Sequence, residues 1–185
     1  MKMKKLSAVF KKAINIDLYS DEQQQWISNG QAVYSLKGMP PLTPEQLATI
    51  LDLPSANNIR TVDGLPFGIC FDDMAENEKP ICPERIQLPL GGGKIATYTS
   101  ADGERVIFIE QQYLEPINAK DHFGVYERRH KCGITTIAVK NGMFLEAMIE
   151  PRQNVITPDL LDETHNLLIR MNETYERETA KGGKA

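Results

Sequence analysis

The sequence predicts an α+β fold built on a mainly antiparallel sheet, and three observations carry that reading. Most apolar residues fall in alternating or short continuous runs of strand length. Two of those pairs of runs are joined by Asn-Gly, at 29–30 and 141–142, the dipeptide that favours the type I′ turn of a two-residue hairpin. Helix signals are short and capped until the last thirty or so residues, where one longer amphipathic stretch follows Pro158.

Taken in order, Leu6, Val9, Phe10 and Ala13 have helical spacing, which predicts a short amphipathic helix over 4–13 with its lysines outside. Ile14, Ile16 and Leu18 alternate with Asn15, Asp17 and Tyr19, the pattern of a strand with one buried face. Residues 24–28 and 31–36 flank Asn29-Gly30 as the first hairpin, with Trp26 or Ile27 and Val33 or Tyr34 as core candidates. Gly38-Met39-Pro40-Pro41 breaks the chain, and Thr43-Pro44-Glu45-Gln46 starts a helix: Thr43 as N-cap, Pro44 at the first helical position, Gln46 closing a capping box. Leu47, Ile50 and Leu51 supply its expected buried face, and Pro54 limits it.

Residues 54–83 are rich in Pro, Gly, Asn and Asp and read as a long, partly ordered loop around Phe67-Gly68-Ile69-Cys70-Phe71. Ile86, Leu88 and Leu90 make an edge-like strand that tolerates Pro89, and 95–99 is expected to pair with 106–109 across Asp102-Gly103. Val106 to Ile109 is apolar at every position, as in a strand covered on both sides, and runs into a turn or two of helix over 111–117. A strand over 123–128 precedes the second hairpin, 134–140 and 143–150 about Asn141-Gly142. The C-terminal helix, 158 to about 179, carries Leu160, Leu161, Leu167, Leu168, Met171 and Tyr175 on one face, and an apolar face of that extent predicts self-association, most simply as a two-fold dimer.

The two hairpins invite an internal comparison. Each leads through an apolar strand and a proline to a Thr-Pro helix start, at Thr43 and at Thr157, and each follows a short helix and a strand. This predicts a two-fold pseudo-repeat within a single domain: residues 1–53 as the first copy, 54–104 as irregular insertion and strands, 105–180 as the second copy with the C-terminal helix.

Composition narrows the function. At 185 residues the chain can enclose one sizeable core. A formal net charge of −4 argues against a generally basic nucleic-acid-binding surface, although Lys2, Lys4, Lys5, Lys11 and Lys12 crowd one end. Nothing approaches a membrane-spanning run, and three cysteines, an odd number, are not a disulfide framework; a cytoplasmic setting is expected.

Candidate chemistry is sparse. Gly91-Gly92-Gly93-Lys94 resembles a phosphate loop, but Ile95 stands where Ser or Thr would hold magnesium and a strand pattern begins. Cys70, Cys82, His130 and Cys132 have the ligand types of a zinc site without its spacing, so neither metal nor cofactor is expected. Asp72, Asp73, Glu76, Glu78 and Lys79 have the residue types of a magnesium-dependent phosphodiesterase or nuclease, the alternative reading, yet sit in a loop rather than on convergent strands. Arg128, Arg129, His130 and Lys131 form the internal basic run, and Arg128, Arg129 and Lys131 are the residues expected to contact a nucleic-acid backbone.

The order strand, short helix, three strands from Val106 to Glu150, with its degenerate copy near the N-terminus, resembles the half-domain of DNA sliding clamps, the polymerase processivity factors. The resemblance covers residues 3–36 and 105–151 and carries no family motif. It implies helices on one sheet face and a non-enzymatic binding or scaffold role in DNA transactions, with DNA or protein partners; small α+β proteins of phages and mobile elements look similar at this level.

Overall fold

The structure, a computed structural model, describes residues 1–21, 24–90, 93–117, 123–153 and 155. The helix expected from residue 158, with Leu160, Leu161, Leu167, Leu168, Met171 and Tyr175, lies outside them, so the dimer drawn from that face gains no structural footing. The described residues up to Arg152 belong to one compact unit.

Three short helices, α1 (Met3–Phe10), α2 (Pro44–Ile50) and α3 (Gln111–Leu114), accompany eleven strands among the described residues. Eight strands form one sheet: β1 (Ile16–Ser20), β2 (Gln25–Ser28), β3 (Ala32–Ser35), β4 (Ile59–Asp63), β5 (Glu78–Pro80), β9 (Phe123–Arg129), β10 (Thr135–Asn141) and β11 (Phe144–Ile149). Their order is β4-β1-β2-β3-β11-β10-β9-β5. A smaller sheet runs β6 (Cys82–Leu90), β7 (Gly93–Thr99), β8 (Val106–Glu110). The fold is α+β as expected, but the large sheet is mixed, because β4 pairs parallel with β1. The expected 54–83 loop thus contributes a strand to each edge of that sheet, β4 and β5.

Both hairpins form where the sequence places them, with a different turn. The Asn29 amide donates to the Ala32 carbonyl at 3.2 Å and Asn141 faces Phe144, so the two-residue loops are Gly30-Gln31 and Gly142-Met143. Positive φ occurs at Gly30 (86°) and Gly142 (61°), not at the asparagines, which places glycine first in the loop as type II′ requires rather than type I′. Asn29 acts one position earlier: its Oδ1 accepts from the amides of Gln31 (3.1 Å) and Ala32 (2.9 Å).

The sheet is covered on both faces, which resolves the paired core candidates. Ile27 and Tyr34 join the main core with Leu6, Val9 and Phe10 of α1, Tyr113 of α3, and Ile107 and Ile109 of the small sheet. Trp26 packs in a second cluster with Phe71, Ala138, Leu145 and Met148, against which Val33 lies. The capping box forms, Thr43 Oγ1 accepting from the Gln46 amide at 3.3 Å and Gln46 Oε1 from the Thr43 amide at 2.9 Å. Three apolar expectations shift. Ile14 is 88% exposed because β1 begins only at Ile16; Ile50 is 43% exposed while Ala48 is buried in its place; and Val106 is exposed because β8 sets one face on the core, not two.

Candidate functional site

Side-chain alternation on β9 and β10 decides which charges are buried. Thr136 pairs with Arg128 and Ala138 with Tyr126, so Arg128, Thr136 and Lys140 share the face opposite Ile137 and Val139. Ile137 and Val139 belong to the main core, and the other face is covered by the segment that ends in β5. Phe71 anchors that segment edge-on to Trp26, ring centroids 5.0 Å apart.

Beneath it sits a buried ionic group. Arg128, 0% exposed, donates from Nη1 to the carbonyls of Cys70 (3.0 Å) and Asp72 (2.9 Å) and from Nη2 to Glu78 Oε2 (3.2 Å). Lys140 Nζ stands 2.7 Å from Glu78 Oε1 and 2.8 Å from Oε2, and 5.0 Å over the Tyr126 ring. One carboxylate therefore serves two cationic side chains. His130 Nδ1 accepts the Cys70 amide at 3.0 Å, so its proton is on Nε2, donated to Thr136 Oγ1 at 2.8 Å. Burial foremost, and then the charge of Arg128, hold the His130 pKa below the usual imidazole value. Asp73 completes the fastening: Oδ1 accepts the Leu145 amide at 2.8 Å, and Oδ2 lies 3.2 Å from Lys37 Nζ.

These contacts redistribute the residues singled out from sequence. Arg128 is spent inside the protein and cannot reach a phosphate backbone, which corrects its expected role. Arg129 and Lys131 are exposed and border a cleft of about 600 Å3 beside the 65–77 segment. Asp73 and Glu78 hold the segment in place and Asp72 Oδ2 accepts from the Cys70 thiol at 3.3 Å, while Glu76 and Lys79 are exposed; the five do not converge. Both ring nitrogens of His130 are engaged, so it offers no lone pair to zinc, and no three metal-ligating groups come together among the described residues. Gly93 and Lys94 open strand β7.

The opposite, helix-bearing face has a different character. Burial of Leu6, Val9 and Phe10 turns the lysines of α1 and its flanks to solvent. Lys5 pairs with Glu115 (2.8 Å) and Lys11 with Asp52 (2.5 Å), while Lys2, Lys4 and Lys12 have no ion pair among the described residues. At the C-terminal end of α1 opens a cleft of about 750 Å3, lined in part by Lys12, Asn15, Asn57, Asn58 and Arg60. Arg60 is oriented by Asp17 at 2.9 Å. Sequence reasoning missed this cleft, because Asn57, Asn58 and Arg60 reach it only through the parallel pairing of β4 with β1.

Comparison of the chain with family models, curated proteins and solved structures finds no match.

Proposed function

We propose that this protein is a non-catalytic binding module whose helix-bearing face contacts duplex DNA in a clamp-like manner. The observation that carries the reading is the strand order β1-β2-β3-β11-β10-β9: two three-stranded meanders meet along β3 and β11, Tyr34 against Ala147, each meander preceded in sequence by a short helix. The two helices touch the same core, and the Lys2 amide donates to the Pro116 carbonyl just beyond α3 at 2.6 Å. Lys2, Lys4 and Lys12 then offer cations to a phosphate backbone, with the carboxamides of the cleft beside Lys12. Of the four carboxylates in the acidic stretch, Asp73 and Glu78 hold the 65–78 segment.

We expect α1 with β1–β3 and α3 with β9–β11 to overlay with the same hand, and we expect self-association, since clamp rings are closed by several such domains. Sedimentation equilibrium then gives a mass above 20.8 kDa. The functional test is fluorescence anisotropy with a labelled duplex at low salt. Wild-type protein binds, and Lys4→Glu with Lys12→Glu weakens binding at least tenfold; a duplex affinity unchanged by the pair sinks the reading.

A further inference from the structure

The outer sheet face holds a feature that duplex contact leaves unused. Phe67 is fully exposed and Met74 largely so, on a segment secured by Phe71, Asp73 and Glu78, by bonds from Arg128 and by the bond that the Cys70 amide donates to His130. Next to Phe67, Gly68 adopts φ +79° and lies against Cys132; a Cβ there would come within 3.0 Å of the Cys132 Cβ. Gly68 thus sits beside the turn between β9 and β10, next to Lys131 and near Arg129 at the end of β9. Both are exposed, line the 600 Å3 cleft, and have no ion pair among the described residues. Under this corner lies the group with two cations to one carboxylate, Arg128, Lys140 and Glu78, and the buried Arg128 Nε has no hydrogen-bond partner. An exposed ring one residue from Gly68, which lines the same cleft as Arg129 and Lys131, suits a ligand that has both an aromatic face and a negative charge.

We propose that this cleft binds a short single-stranded stretch of nucleic acid, one base stacked on Phe67 and an adjacent phosphate held by Arg129 and Lys131. An unpaired base has an open face for stacking, which a base inside a duplex lacks. Asp72 and Glu76 also line the cleft and repel further phosphates, which limits the site to one or two nucleotides. The proposal rests on different residues from the duplex reading, so the two fail separately.

The probe is a short fluorescein-labelled oligothymidylate, titrated by anisotropy. Phe67→Ala weakens binding about fivefold or more, the loss of one base–aromatic stack. Arg129→Ala with Lys131→Ala weakens it further and lowers the slope of log affinity against log salt by about 0.7, the loss of one phosphate contact. Phe67 is not packed in either core, so Phe67→Ala melts like wild type, whereas Lys4→Glu with Lys12→Glu leaves oligothymidylate binding intact. Absence of saturable binding, or equal affinity for wild type and Phe67→Ala, overturns the proposal. So does a Phe67→Ala variant that binds the oligonucleotide normally and loses a protein partner, because the face is then a protein-docking surface.

Discussion

Glu78→Gln isolates the charge that holds the outer segment. The substitution keeps the volume and one acceptor oxygen but leaves Arg128 and Lys140 without a counter-ion, their side chains only 0% and 6% exposed. Removing one partner of a buried ion pair costs about 3–5 kcal/mol. Arg128 keeps the Cys70 and Asp72 carbonyls, but Lys140 keeps only the Tyr126 ring and a neutral carboxamide oxygen, which favours the upper part of that range. At about 2–4 °C per kcal/mol for a chain of this size, the melting temperature falls by roughly 6–20 °C. The single tryptophan, Trp26, packs against Phe71 under the same segment, so its fluorescence in a urea titration reports both global stability and the covering of this face. Replacing Arg128, Glu78 and Lys140 together by Met, Leu and Met recovers most of the loss, because the cost comes from uncompensated charge rather than from missing volume. A Glu78→Gln loss under about 1 kcal/mol refutes the claim that this carboxylate fastens the segment.

His130 gives a pH dependence whose sign follows from its lowered pKa. The unfolded chain takes up the proton more readily, so stability is full above about pH 6.5 and declines as the pH falls toward the folded-state value; His130→Gln flattens that decline in urea midpoints measured between pH 5 and 8. Thr43→Ala removes the α2 cap and costs about 1 kcal/mol by urea denaturation, with the Trp26 emission maximum of the folded state unchanged. Gly30→Val and Gly142→Val each cost about 1–2 kcal/mol in the same assay through positive φ alone, since open space surrounds both positions.

What sequence showed and what it hid divide along local and non-local physics. The capping box at Thr43 and both hairpin positions depend on residues a few places apart, and all three appear as read. The turn subtype did not follow, because Asn tolerates positive φ but here caps the loop with its side chain instead. The large sheet has two covered faces, so a strand such as β2 buries Trp26 and Ile27 together and defeats a one-face reading. Arg128 looked like one of a surface run of four basic residues. Only the pairing of Glu78 with Arg128 across β5 and β9, fifty residues apart, shows that it points under the 65–78 segment while Arg129 points out. The signal in the sequence is Lys140, which directly follows the apolar run Ile137-Ala138-Val139 inside a strand and so calls for an acidic partner from elsewhere in the chain.

Whether duplex DNA meets Lys2, Lys4 and Lys12 on the helix-bearing face is decided by the salt dependence of wild-type duplex binding. Three phosphate contacts, from Lys2, Lys4 and Lys12, predict a slope of about −2.7 in log affinity against log salt. A slope near zero, or no duplex binding at low salt, contradicts it.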